Sequence, residues 1–157
     1  MPVALGQATN RKLPFKFSAY TRVGFSDTDA QGIVYYGRYL PYFDQARVEY
    51  VRHLGLLARE AGAAQFVMRA SSVVYEAPAR FDDLLEVFVR TKRIGRTSLT
   101  NEYCAVRVDD DELMCRAEQT LVLVALPERR PTAIPDEYRR TVAAFEGADL
   151  ELAVAAS

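Results

Sequence analysis

The densest polar stretch of the chain is Asp27-Thr28-Asp29-Ala30-Gln31-Gly32-Ile33-Val34-Tyr35-Tyr36, which sits just ahead of a helical pattern. As plain structure it is a cluster of turn and cap formers. Asp27 can close an Asx turn, Asp29 can cap, and Gly32 can take a positive φ. The same residues also suit a chemical task. A carboxylate near a helix N-terminus sits beside backbone N–H groups that have no intrahelical acceptor. Those donors can polarise a carbonyl and hold a developing oxyanion, and Gly32 lets a substrate approach the backbone closely. A carboxylate beside an oxyanion site is the minimum equipment for hydrolysing an activated acyl group. The carboxylate either attacks directly or activates water.

Other chemistries find less support. His53 is the only histidine, so any Ser-His-Asp or Cys-His mechanism would have to run through it. It falls in the last turn of the predicted helix, where a cation suits the dipole. Cys104 and Cys115 lie within predicted strands and read as small core residues; no Cys/His spacing suits zinc. Twenty Lys+Arg against 21 Asp+Glu give a net charge of -1, which argues against nucleic-acid binding. No apolar run approaches the roughly 18 residues of a membrane span. The start, Met1–Gly6, lacks the features of a secretory signal, so a reducing cytoplasm is the expected compartment.

The elements that must position the cluster follow from periodicity. Residues 1–15 read as a loosely held tail. Phe17–Phe25 alternates like a half-buried strand. Tyr39, Phe43, Ala46, Tyr50 and Leu54 draw an apolar stripe at helical spacing, and Gly55 is a plausible stop. Leu56–Ala61 reads as a short second helix ended by Gly62. Gln65–Glu76, Leu84–Ile94, Thr97–Val108 and Leu113–Ala125 read as strands, the last two joined by a hairpin loop at Asp109–Glu112. Pro127–Pro135 is expected to be irregular, Asp136–Phe145 a helix, and 146–157 a frayed tail. The sum is one α+β domain over 16–145, with a long helix on an antiparallel sheet. Val74, Tyr75, Val122 and Val124 suggest an apolar outer sheet face, and with it dimerisation by sheet pairing or stacking.

Phe25–Tyr36, followed by Tyr39, Tyr42 and Arg47, closely resembles the hotdog-fold acyl-CoA thioesterases of the 4-hydroxybenzoyl-CoA thioesterase family, and in particular its Tol-Pal-associated branch. Val73–Asp83 and Gly95–Leu99 also look like family segments, so the resemblance runs from about Phe17 to Tyr138. It implies a long central helix wrapped by an antiparallel sheet. It also implies a homodimer, often paired into a homotetramer, with active sites at the dimer interface and the strand 65–75 as the partner's contribution. Asp29 would be the catalytic carboxylate, and the backbone N–H of about Tyr36 would hold the thioester oxygen. Gly32, Val34, Tyr35, Arg96, Thr97 and Ser98 would contact substrate. Lys92, Arg93, Arg96, Arg129 and Arg130 are the basic candidates for the CoA phosphates. Tyr39, Tyr42, Phe43, Phe66 and Met68 are candidates for the acyl pocket. Some relatives carry His where this chain has Tyr36, so no histidine role transfers. Another branch uses a helix Glu; Glu49 is on this helix and reads as solvated. The expected activity is release of a carboxylic acid and CoA, with no metal or redox cofactor. An acyl-carrier-protein thioesterase and a non-catalytic acyl-CoA-binding module are the alternatives.

Overall fold

The computed structural model describes residues 4–58 and 64–152. Its strands are β1 (Gly6–Lys12), β2 (Phe15–Arg22), β3 (Ala64–Tyr75), β4 (Leu84–Ile94), β5 (Ser98–Arg107), β6 (Leu113–Ala125), β7 (Arg130–Pro131) and β8 (Glu151–Leu152). Its helices are α1 (Tyr39–His53) and α2 (Asp136–Glu146). One sheet runs in the order β1-β2-β4-β5-β6-β3, with β7 beside β6 and β8 beside β4. Every pairing is antiparallel except β4–β8. The chain therefore has the α+β arrangement of the hotdog fold, a sheet curled around one long helix.

The apolar periods dictate this packing. Tyr39, Tyr42, Phe43, Ala46, Tyr50 and Val51 are the buried positions of α1, three and four apart. They meet the inward row of the strands, including Phe17, Leu85, Val87, Val89, Tyr103 and Met114, in one core. The helix stops at Gly55 with φ +74°, a conformation that favours glycine. Arg52 and His53 occupy its last turn, and the His53 ring packs on Phe17 and Phe145. Of the expected helix over 56–61, Leu57 and Ala58 form a 3₁₀ turn and the rest lies outside the described residues.

Three expectations need correction. Residues 6–12 are not a loose tail; they form β1, paired with β2. Arg11 reaches across to the buried Glu86 carboxylate, which Ser18 Oγ also meets at 2.6 Å. Under this hairpin Phe15, Phe88 and Val106 make a second small core. An ion pair holds β1 down, so no apolar period announced it. The far end is also ordered as far as Leu152. Glu146 is buried, Lys16 Nζ donates to its main-chain oxygen at 2.7 Å and to Asp149 at 2.8 Å, and β8 pairs with Arg93 and Ile94. Finally, the outer sheet face is largely charged rather than apolar, although Val74 is exposed on it. Arg90–Glu102, Lys92–Glu118 and Arg116–Glu76 pair across it at 2.6, 3.5 and 3.1 Å. Val124 is covered where it pairs with Pro131 of β7, and Tyr75 turns toward α1.

Candidate active site

The motif folds as a narrow loop between β2 and α1. Thr28 and Val34 form an antiparallel bridge. Within it, Asp29 N donates to Ile33 O and Gly32 N to Asp29 O, both at 2.9 Å. Gly32 has φ +77° with open space where a Cβ would be, so it is the turn residue the sequence suggested. The two aspartates take roles other than those expected. Asp29 Oδ1 accepts Gln31 N at 2.8 Å, so Asp29 closes the Asx turn and caps no helix. Asp27 Oδ2 instead accepts the N–H of Gly24, behind it, at 2.8 Å and the Tyr42 hydroxyl at 2.7 Å. Arg38 Nε lies 3.4 Å from Asp27 Oδ1. Among the described residues Asp29 Oδ2 has no protein donor, so one oxygen of this carboxylate is open for chemistry.

The other wall starts the helix. Tyr36–Arg38 is a 3₁₀ turn running directly into α1. Tyr35 N donates to Asp27 O at 2.9 Å and Arg38 N to Tyr35 O at 2.8 Å. That turn leaves the Tyr36 and Gly37 N–H groups without an intrahelical acceptor. A Cβ on Gly37 would stand 2.9 Å from the exposed Tyr35 ring, which would have to shift to admit it. Ile33 bridges Arg80, and Val34 N donates to Ala79 O at 2.8 Å, which pins the loop to the segment after β3.

Between these walls lies a cleft of about 340 Å³ lined by Asp29, Gln31, Val34, Tyr36, Tyr39 and Tyr75, with Glu76–Pro78 at one side. Tyr75 comes from the end of β3. Its hydroxyl donates to Tyr36 O at 3.1 Å, and its ring packs 6.3 Å from Tyr36 and 5.8 Å from Tyr39. Burial pushes the Tyr39 phenol up to about 12 and also raises Tyr75, so both stay protonated at neutral pH. Tyr35 packs tilted against Tyr36 at 4.3 Å and is not among the residues lining the cleft. Tyr42 and Phe43 are core residues rather than cleft wall.

The remaining candidates lie elsewhere in the chain. Arg96, Thr97 and Ser98 form the β4–β5 turn, where Gly95 N donates to Ser98 O at 2.7 Å and Thr97 O accepts Leu123 N at 2.8 Å. Ser98 lies in one cross-strand row with Val122 and Val67, whereas Tyr75 shares its row with Cys115. Those rows are about 25 Å apart along the strands, so one chain does not bring Arg96–Ser98 to Asp29. Arg93, Arg96, Arg129 and Arg130 are exposed at that far end. Lys92 is paired with Glu118, Phe66 packs on Tyr138, and Met68 lies on the exposed edge strand. Glu49 is half-buried, lines a separate groove without Asp29, and is held at 2.6 Å by the exposed Arg52. Burial raises both thiols, Cys115 to about 12, the reverse of what a nucleophile needs. Sequence reasoning missed Tyr75 and Gly37 as site residues. Tyr75 lay inside a segment quoted for its resemblance, but its position on the cleft depends on sheet register.

Comparison with known proteins agrees with this fold. Residues 23–142 match the family model of the thioesterase-like superfamily. The chain belongs to that superfamily. It is 36% identical over 116 residues to the acyl-CoA thioester hydrolase YbgC of Escherichia coli, covering 73% of this chain and 86% of that protein. It is 32% identical over 126 residues to the acyl-CoA thioesterase YbgC of Haemophilus influenzae, covering 78% and 91%. The crystal structure of a 1,4-dihydroxy-2-naphthoyl-CoA thioesterase from Synechocystis superimposes with a TM-score of 0.72 at 21% identity, over 80% of this chain and 94% of that one. This likeness shows the shared fold.

Proposed function

We propose that this protein is an acyl-CoA thioesterase that cleaves the thioester into a carboxylic acid and free CoA, with Asp29 as the catalytic carboxylate. The observation that carries the reading is that Asp29, whose Oδ2 is unpaired among the described residues, and Tyr36, whose N–H starts the helix, line one cleft. The thioester oxygen sits on that N–H as it gains charge. Water adds to the carbonyl carbon while Asp29 takes its proton, or Asp29 attacks and water then cleaves the mixed anhydride. In either route the C–S bond breaks and the thiolate leaves and is protonated. Water is the only co-reactant, and the proposal calls for no metal or redox cofactor. The free thiols of Cys104 and Cys115 suit a reducing cytoplasm.

The CoA end of the site rests on a second copy. β3 is an edge strand of 12 residues with one charge, Arg69, and no proline. An edge of that kind is a template for pairing. Antiparallel pairing of two β3 strands sets the Ala64 end of one against the Tyr75 end of the other. The partner subunit's Arg96, Thr97 and Ser98 then fall within three strand spacings, about 14 Å, of the Ser72–Tyr75 segment, a distance the pantetheine arm of CoA spans. The charged outer face favours this edge pairing over stacking of two sheets. The same exposed arginines would serve an acidic carrier protein in place of CoA. Gly32, Val34 and Tyr35 contribute by shaping the loop and the cleft beside the acyl group.

The test is thiol release from a panel of acyl-CoAs and one acyl-carrier-protein thioester, wild type against Asp29→Asn. A loss of two or more orders of magnitude, about 3 kcal/mol of barrier, supports the role of Asp29. An active wild type with an equally active variant refutes the assignment, and no release from any thioester refutes the enzyme. Molar mass in solution separates monomer, dimer and tetramer.

A further inference from the structure

The site holds two aspartates of identical chemistry two residues apart, and only one faces the cleft. We propose that Asp27 is the positioning residue of this site: through its hydrogen bonds to Tyr42 and Gly24, its ion pair with Arg38, and its main-chain bond from Tyr35, it fixes the Asp29 loop and the Tyr36 N–H relative to each other. The proposal rests on the assignment of Asp29 as the acting carboxylate.

The argument starts from connectivity. Asp27 and Asp29 belong to the narrow loop, and Tyr35 and Tyr36 belong to the helix start. The side chain of Asp27 draws donors from three directions. Gly24 N holds it to the end of β2 at 2.8 Å, Tyr42 Oη to the buried face of α1 at 2.7 Å, and Arg38 Nε to the turn that begins the helix at 3.4 Å. Its main-chain oxygen accepts Tyr35 N at 2.9 Å, one peptide before the oxyanion donor. One residue therefore ties together both walls that must present their groups to a single carbonyl carbon.

The anchor at the other end is rigid. Tyr42 is 4% exposed and packed edge-on to Tyr39 in the core, so its hydroxyl has a fixed position. Burial and the bond to Asp27 raise the Tyr42 phenol, so it remains the donor throughout the neutral range. A charged acceptor strengthens each of these bonds relative to a neutral one. Its carboxylate is engaged by these partners and Asp27 is not among the residues lining the cleft, so it acts through the loop.

A displacement of about 1 Å at a reacting pair costs on the order of 100-fold in rate. Asp27→Asn keeps the shape and removes the charge. Tyr42→Phe keeps the packing and removes the donor. Each variant is expected to lower kcat by about 10- to 100-fold with KM within about threefold, because the substrate's own contacts stay in place. The double variant is expected to lose no more than the worse single variant, since both break one link. A melting curve for each protein, with the assay run well below its Tm, separates misplacement from unfolding. Three results would overturn the proposal: kcat unchanged in both singles, KM rising with kcat constant, or strictly multiplicative losses in the double. Asp29→Asn in the same assay separates the two failures. If Asp29→Asn is inactive while Asp27→Asn and Tyr42→Phe are both wild-type in kcat, positioning fails alone. If Asp29→Asn is fully active, the catalytic assignment beneath it fails.

Discussion

The carboxyl of Glu146, the last residue of α2, is sealed in the core at 1% exposure. Oε2 accepts the Tyr50 hydroxyl at 2.6 Å and Thr91 N at 3.0 Å, while Oε1 is buried with no partner among the described residues. Burial raises its pKa above the usual 4.5; the bonds from Tyr50 and Thr91, with Lys16 and Arg90 further out, oppose that shift without cancelling it. The sign follows from linkage. A carboxyl whose folded pKa is raised contributes most stability below its unfolded pKa of about 4.5, and loses that contribution as pH rises through the folded value. Glu146→Gln keeps an acceptor for Tyr50 and Thr91 and cannot ionise. Its stability relative to wild type should therefore improve as pH rises above about 4.5 and through the folded pKa, then level off, starting from a difference within about 1 kcal/mol at the acid end.

Glu146→Ala behaves differently. It strands two buried donors, at about 1–3 kcal/mol each, and leaves a cavity. The expected loss is about 3–6 kcal/mol, or a fall in Tm of about 10 °C or more for a chain of this size. The assay is thermal unfolding followed by far-UV circular dichroism from pH 4.5 to 8 for wild type and both variants. The reasoning is refuted if Glu146→Gln loses ground to wild type as pH rises. That result would mean the ionised carboxylate is a net stabiliser, held by Lys16 and Arg90.

Three further outcomes follow from particular contacts. Arg11→Ala removes the cation over buried Glu86 and leaves Ser18 as the remaining donor in that contact, so chemical denaturation should show a loss of about 1–3 kcal/mol and β1 amides should exchange faster. Gly32→Ala meets no steric contact but must hold φ +77°, so it should cost about 1 kcal/mol in stability and lower kcat through the loop. Ala70→Glu sets two carboxylates across the proposed β3 seam near its midpoint. Light scattering should show a shift toward the 17.6-kDa monomer with loss of thiol release.

How much the sequence disclosed depended on whether a feature was periodic or topological. The stripe from Tyr39 to Tyr50 and the alternation of Leu85, Val87 and Val89 are repeated signals, and both elements formed at the expected positions. The bounds of β4 and β6 agree with the expected ones because strong turn formers flank them. β1 is held by one ion pair and covers a small second core, so its residues carry no apolar period. The same holds at the other end, where Glu146, a charged residue, was the buried one. The outer face misled because Val124 and Tyr75 were counted on it, whereas β7 covers the first and the turn toward α1 removes the second.

The site shows the same division at closer range. Ten consecutive residues carry the carboxylate, the glycine turn and the helix-start N–H, and a local motif of that kind is legible without a fold. Which aspartate keeps an oxygen without a donor among the described residues is not local information. Asp27 and Asp29 have the same chemistry, and each is compatible with an Asx turn. They differ because α1 places Tyr42 one turn along its buried face, 15 residues after Asp27, with its hydroxyl 2.7 Å from one carboxylate. Likewise Tyr75 reaches the Tyr36 carbonyl only because β3 pairs with β6 in the register that sets Tyr75 opposite Cys115. A shift of one residue there would turn Tyr75 to the charged outer face. The edge strand that completes the cleft is also the strand with the open pairing edge, so any change in β3 register should disturb the cleft and the proposed subunit seam together.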